Sequence, residues 1–259
     1  MTGSPQLGRL YLVPNTLDFG VYTEAAPVDL QTVLPLHALQ IAAKLTHWVA
    51  ENAKTTRAFL KRVDAVVPLS QALQTLNIVE LPRPQKGTKA TVTSPLDALM
   101  APALHGADIG LISEAGLPAV ADPGAQLVEA AHRLGVTVMP LSGPSSLLMA
   151  LSASGLNGQS FAFVGYLPVD AGQRNLKLRD LEATSRRHQQ TQLMIETPYR
   201  NQALLAAMLT SLSPNCRLSV SCGLTLQGGW TRSDSVAVWK QRAFALPNDV
   251  PAVFALLGV

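Results

Sequence analysis

Between Ile109 and Gly124 the chain reads I-G-L-I-S-E-A-G-L-P-A-V-A-D-P-G, and these residue types set what the stretch can do. Four apolar residues, Ile109 to Ile112, predict a short buried strand that stops at Ser113. A loop of small residues follows. Asp122-Pro123 then reads as a helix opening, Asp as N-cap and Pro in the first turn, where its fixed φ is no handicap. In open α/β sheets ligands bind outside the carboxyl ends of strands, where such a loop lies. Built from Ser, Ala, Gly, Val and Pro, it lets a small molecule lie close against the backbone. The plainer readings stand beside this one: Gly116 and Pro118 as turn formers, Ser145 as a helix-start serine, and Glu196 before Thr197-Pro198 as an acid favoured at a helix N-terminus.

Other chemistries are poorly represented. No G-x-G occurs, so a dinucleotide fingerprint and a glycine-rich methyltransferase loop are both missing, and no phosphate-loop motif is present. The histidines (37, 47, 105, 132 and 188) are scattered, with no H-x-x-x-H spacing and no nucleophile elbow. No metal site is expected. Cys216 and Cys222 lie in an apolar, alternating stretch and read as small core residues in a reducing cytoplasm.

The elements that must position the loop are those of a globular α/β protein. Its 259 residues suit one large domain or two of ordinary size; 47% are hydrophobic and 14% charged, enough for a substantial core. The net charge of +3 is too mild for a dedicated nucleic-acid binder. The N-terminus lacks the apolar core of a signal peptide. Leu134 to Val169 carries no charge, but glycines and prolines at 135, 140, 143, 144, 155 and 158 interrupt it too often for a membrane span, so no membrane association is expected.

Strand Arg9–Val13 is followed by a loop to Gly20, helical signal from Leu34 to Leu45, strand His47–Ala50 and a helix from Lys54 to Val63. Gln85 to Thr93 reads as a polar surface loop, and Ser94-Pro95-Leu96-Asp97 opens a helix to about His105. Strand 109–112, helix 123–134, strand 136–139 and helix 144–154 complete a pattern that implies parallel pairing. A domain boundary is expected near residue 157, giving 1–157 and 158–259. Beyond it come strand 161–165, a polar, basic helix 172–188, strand 192–196 and a helix to about Leu209. Strand 217–222, a hairpin spanning Gln227 to Trp239 that turns at Gly228-Gly229, and strand 250–257 follow.

Taken in order, the opening strand L-Y-L-V-P, the 109–124 segment, P-L-S-G-P-S-S, F-A-F-V-G-Y-L-P and T-Q-L-M-I-E-T-P-Y-R closely resemble the tetrapyrrole methylase superfamily. The branch is the one related to small-subunit rRNA 2′-O-methyltransferases, and the resemblance runs from about residue 9 to 258. It implies a two-domain α/β fold, a parallel-sheet N-terminal domain and a mixed-sheet C-terminal one, with S-adenosylmethionine (SAM) in a cleft between them, and a homodimer. SAM carries an adenine, a ribose diol, an amino-acid end and a sulfonium, which call for backbone polar groups and an apolar wall rather than a phosphate cradle. The resemblance places these roles on Ser113, Glu114, Ala115, Gly116, Val120 and Ala121, with Ser145, Tyr166, Leu167, Pro168, Pro251 and Ala252 closing the other side.

Methyl transfer from a sulfonium is an in-line displacement, so the protein must orient the acceptor and help remove a hydroxyl proton. In the rRNA branch a Glu-Asp-Thr-Arg segment after the second strand meets the substrate. The matching positions here begin Glu51-Asn52-Ala53-Lys54 and run to Arg57, which makes Glu51, Asn52 and Arg57 the candidates for acceptor positioning. Asn52 cannot act as a base, and the segment reads equally as an N-cap on a helix with a solvated basic face. The first loop lacks a Gly-Asn ending, Thr225-Leu226-Gln227 replaces an acidic-basic stretch, and the chain stops at Val259 after its last core strand, the expected pattern of a short paralogue. The expected acceptor is RNA or a nucleotide-like group, with Lys54–Arg62 and Arg174–Arg187 as candidate phosphate contacts. A tetrapyrrole or other small acceptor, and a SAM-binding homologue without catalysis, are the alternatives.

Overall fold

The computed structural model describes residues 6–18, 28–82, 95–242 and 244–259, in two compact units, 1–144 and 145–259. The first holds a five-stranded, all-parallel sheet: β1 (Arg9–Leu12), β2 (His47–Ala50), β3 (Asn77–Glu80), β4 (Ile109–Ile112) and β5 (Thr137–Pro140), in the order β3-β2-β4-β1-β5. A central parallel strand is covered on both faces and is therefore apolar throughout. All four residues of β4 are buried accordingly. At Gly110 an added Cβ would come within 2.7 Å of the Trp48 ring, so this residue must be small.

Helices α1 (Leu30–Val33), α2 (Leu36–Lys44) and α3 (Ala53–Asp64) contribute to one apolar cluster with Tyr11, Trp48 and Ile112. The cluster containing Leu10, Val49 and Leu111 takes in α4 (Pro95–Leu99), α5 (Ala101–Leu104) and α6 (Ala125–Arg133). The helix expected over 34–45 is broken at its start. Leu34 precedes Pro35, takes an extended conformation (ψ 134°), and divides α1 from α2. The helix expected to run to His105 is likewise divided at Met100, ahead of Pro102. The polar loop expected at 85–93 and the cap at Ser94 lie outside the described residues.

The second unit opens with α7 (Ser146–Ser154), followed by β6 (Phe161–Tyr166), α8 (Ala171–His188), β7 (Thr191–Glu196), α9 (Asn201–Ser211), β8 (Arg217–Cys222), β9 (Trp230–Ser235), α10 (Val236–Trp239) and β10 (Ala252–Leu257). Its sheet has the order β6-β7-β10-β8-β9 and is mixed: β6 and β7 are parallel, and every other pair is antiparallel. Helix α7 packs here, Leu147, Ala150 and Leu151 meeting Leu193, Val253 and Ala255. The division between units therefore falls at Pro144 rather than near residue 157, since the apolar face of α7 is satisfied by β10 and not by the parallel sheet.

The hairpin also differs from expectation. Its arms are β8 and β9, paired from Arg217↔Ser235 to Cys222↔Trp230, and 236–239 is helical. Gly228-Gly229 lies in the connection between them, where Gly229 is required because a Cβ would sit 2.1 Å from the Gly223 carbonyl oxygen. Cys216 and Cys222 are free and buried, and burial pushes the Cys216 thiol up to about 12. Among the described residues no helix is long and apolar enough to cross a membrane.

Candidate functional site

The carboxyl ends of β1, β2 and β4, which are neighbours in the parallel sheet, lead into three loops that hydrogen bonds tie together. Asn15, after β1, is buried and uses its whole amide. Its Nδ2 donates to the carbonyls of Ser113 and Glu114, both at 3.0 Å, and its Oδ1 accepts from Thr16 N–H at 2.9 Å. The backbones meet as well: Asn15 N–H donates to Gly116 O and Gly116 N–H to Thr16 O. Thr16 Oγ1 donates to Asp18, whose carboxylate pairs with Arg62 at 3.1 Å. From the end of β2, Glu51 Oε2 accepts the Glu114 N–H at 3.0 Å. The loop after β4 is thus held from both sides by side chains of neighbouring loops.

That loop is strained. Gly116 has φ 66°, and Ala119 and Ala121, which carry a Cβ, have φ 66° and 65°. Left-handed backbone at non-glycine residues persists only where the surroundings enforce it, and such residues cluster at functional sites. The chain then crosses Gly124 (φ 130°), which is the N-cap of α6. Asp122 is therefore not the helix cap that its place before Pro123 suggested. The helix begins at Ala125, after the non-helical Gly124, which must be glycine because a Cβ there would lie 2.9 Å from the Leu111 side chain.

Freed from capping, the half-buried Asp122 carboxyl joins an acidic group. Burial first, and then the charges of Glu51 and Glu114, push it up to about 7. Ser113 Oγ lies close enough to offset part of that rise but completes no full hydrogen bond, and it is buried without a partner among the described residues. A carboxyl that titrates near neutrality beside an orphaned buried hydroxyl can accept a proton from a bound group. Sequence reasoning missed Asp122 because Asp-Pro before an apolar-periodic run satisfies a capping pattern completely. It missed Asn15 because a lone loop asparagine carries no periodic or motif signal.

The other expected residues are placed as follows. Ala115 and Gly116 are buried beside Ser113, whereas Val120 and Ala121 are exposed at the loop tip. Asn52 caps α3, its Oδ1 accepting from the Lys54 and Thr55 amides, and Arg57 is exposed on that helix, donating back to Ala53 O. Glu51 thus joins the Ser113–Asp122 group, while Asn52 is engaged in its own helix. In the second unit Ser145 begins α7 without a side-chain cap bond. Tyr166 is exposed at the end of β6, with Leu167 buried and Pro168 half-buried beyond it. Pro251 precedes β10 and Ala252 opens it, pairing with Glu196 and Cys222. Glu196 is buried, accepting Thr197 N–H at 2.8 Å and pairing with Arg200 at 2.7 Å. No group of His, Cys, Asp or Glu among the described residues is arranged to hold a metal ion.

Charge divides unevenly. Residues 1–144 contain ten basic and eleven acidic side chains, residues 145–259 ten and six, so the positive excess belongs to the second unit.

No family model matches the chain. Among curated proteins it is 32% identical over 219 residues to a ribosomal RNA small subunit methyltransferase I of Mesorhizobium japonicum, covering 85% of this chain and 68% of that one. It is 29% identical over 205 residues to the protein of that name from Halalkalibacterium halodurans (79% and 64%), and 42% identical over 109 residues to that from Vibrio cholerae (42% and 36%). The chain therefore spans about two thirds of the length of the first of these and less of the other two. Among solved structures it is similar in fold to a uroporphyrin-III C-methyltransferase from Thermus thermophilus, with TM-score 0.50 and 18% identity, covering 96% of this chain and 92% of that one. With a parallel sheet followed by a mixed one and a relative above 30% identity matched over two thirds of its length, the chain belongs to the ribosomal RNA small subunit methyltransferase I family, methyltransferases of the tetrapyrrole methylase superfamily.

Proposed function

We propose that this protein transfers a methyl group from SAM to a hydroxyl of RNA, with Asp122 receiving the hydroxyl proton. The observation that carries the reading is the Asp122 carboxyl, raised to about 7 on a strained loop beside the unpartnered Ser113 Oγ. The residues fit the cofactor: an orphaned buried hydroxyl, close-packed small residues at 115 and 116, and carboxylates at 51, 114 and 122 that suit a cationic ligand. Ser113, Glu114, Ala115, Gly116, Val120 and Ala121 would hold it. When bound, SAM supplies a methyl already activated on a sulfonium.

This chain's own part is then positional and acid–base. Asn15 and Glu51 fix the loop, and Asp122 takes the proton as the hydroxyl oxygen becomes a nucleophile. A general base of this kind contributes about 10²- to 10⁴-fold, and is most effective when its pKa lies near the working pH. The RNA acceptor is supported by the names of the relatives and by the basic balance of the second unit.

The test is methyl transfer by the full chain from labelled SAM to small-subunit ribosomal RNA, free or in assembled subunits, across pH. Label is expected in RNA at sugar hydroxyls, with kcat/KM, which reports the free enzyme, rising through about pH 7 and levelling above it, because only deprotonated Asp122 can accept a proton. Label in a tetrapyrrole and none in RNA would overturn the acceptor. A rate flat between pH 6 and 8 would remove Asp122 from its role.

A further inference from the structure

Two exposed tyrosines of the second unit are held out by local structure rather than left loose. Tyr199 is 72% exposed and sits in the 3₁₀ turn Pro198–Arg200 directly after β7. That turn is fixed on every side. Buried Glu196 accepts the Thr197 N–H and pairs with Arg200, Arg200 N–H donates to Thr197 O, and Asn201 Nδ2 donates to Val250 O at 3.1 Å. Tyr166, 59% exposed, ends the adjacent parallel strand β6. A register shift between Phe163 and Tyr166, with Gly165 at φ 74°, re-aims the strand so that Tyr166 faces out while Leu167 is buried.

Both rings therefore stand at the carboxyl-end edge of two neighbouring strands. Helix α8 starts from that same edge, its first turns carrying Arg174 and Lys177. Of the nearby acids, Asp170 caps α8 through the Gln173 N–H, and Asp180 pairs with Lys177 itself at 3.1 Å, an exposed contact of the kind that a phosphate can replace. An unpaired nucleic-acid strand needs flat rings for its bases and cations for its phosphates, and the rings serve any base because every base has a π-face.

We propose that this edge is a stacking platform for unpaired bases of an RNA, with Tyr199 and Tyr166 as its rings and Arg174 and Lys177 at the phosphates. It rests on the RNA reading given above. The platform confers grip and placement on single-stranded segments. Sequence preference and the chemistry of transfer lie outside it.

The experiment is fluorescence anisotropy of the full chain with a labelled, unstructured oligoribonucleotide, alongside calorimetric titration with SAM. Tyr199→Ala is expected to weaken RNA binding about 5- to 100-fold. Tyr199→Trp keeps it, and SAM affinity is unchanged in both. Lys177→Ala lowers the slope of log affinity against log salt by roughly 0.7, while Tyr199→Ala leaves that slope alone. The platform is overturned if Tyr199→Ala and Tyr166→Ala both bind RNA like the parent, or if Tyr199→Trp loses as much as Tyr199→Ala. A drop in molecular mass in Tyr199→Ala by sedimentation would also overturn it, since the ring would then be covered by a second copy. If the parent methylates RNA and the tyrosine variants bind RNA as the parent does, the platform falls and the function stands. If the parent binds SAM but no RNA in any form, the RNA reading falls and takes the platform with it.

Discussion

The strand ends of the two sheets use polar chemistry in different ways. At the carboxyl ends of the parallel sheet, polar groups are drawn inward. Asn15, Ser113 and Asp18 are buried, and burial, with the neighbouring carboxylates Glu51 and Glu114, raises the Asp122 carboxyl to about 7. At the strand ends of the mixed sheet Tyr166 and Tyr199 are exposed, and buried Glu196, paired with Arg200, steadies the turn that carries Tyr199. Crowding like charges costs stability and tunes a proton acceptor, whereas displaying unlike groups to solvent costs little and suits a large, charged acceptor. Reaction and grip are thereby assigned to separate sheets.

The sharpest way to break this division is Asp122→Asn. The amide keeps the shape and cannot accept the proton, so kcat should fall about 10²- to 10⁴-fold while SAM affinity changes little. Stability should move the other way. The folded carboxyl titrates at about 7, above the unfolded value of about 3.9, so between those limits the native state holds the extra proton and loses stability as pH rises. The amide escapes that loss. Urea unfolding at pH 5 and pH 8 should therefore show the variant gaining on the parent at the higher pH. A variant with parental kcat would put the proton acceptor elsewhere and dissolve the contrast between the units.

A smaller effect is expected from Asn15→Ala. It strands the carbonyls of Ser113 and Glu114 and the Thr16 amide in a buried setting, at a cost of about 1–3 kcal/mol in stability. If the network serves the loop, SAM affinity drops roughly tenfold with RNA affinity intact, whereas equal losses of both would mean that the first unit also grips RNA.

How much of this was legible in the sequence depended on range. Apolar runs bounded by turns gave β2 at 47–50 and β4 at 109–112 residue for residue, because burial on both faces leaves a continuous hydrophobic signature, and the alternation of R-L-S-V-S-C gave β8 at 217–222. Strand β9, W-T-R-S-D-S, has no such run. It is a strand through pairing with β8, and the neighbouring Gly228-Gly229 drew attention to the wrong place. The domain division was misjudged because α7 carries apolar residues that name no partner; only β10 shows which sheet they cover. At the site, Ser113 to Gly116 was readable from small residues after a strand. Asp122 was not, since its neighbours Glu51 and Glu114 come from distant positions and a local capping pattern accounted for it.

The smallest effect separates strain kept for function from strain that merely ends a helix. Ala121 (φ 65°) lies in the loop after β4, and Gln189 (φ 49°) is the left-handed residue closing α8 in the second unit. Relieving a left-handed non-glycine residue gains about 1 kcal/mol, part of which is returned as extra freedom of the unfolded chain. Ala121→Gly and Gln189→Gly should therefore both raise the urea midpoint slightly. They should part in activity: Gln189→Gly leaves kcat/KM for methyl transfer untouched, and Ala121→Gly lowers it severalfold because the loop no longer holds its backbone groups in one arrangement. If both variants keep full activity, the strained loop tip is only a connection, and the first unit's claim to the cofactor rests on Ser113, Glu114, Ala115 and Gly116.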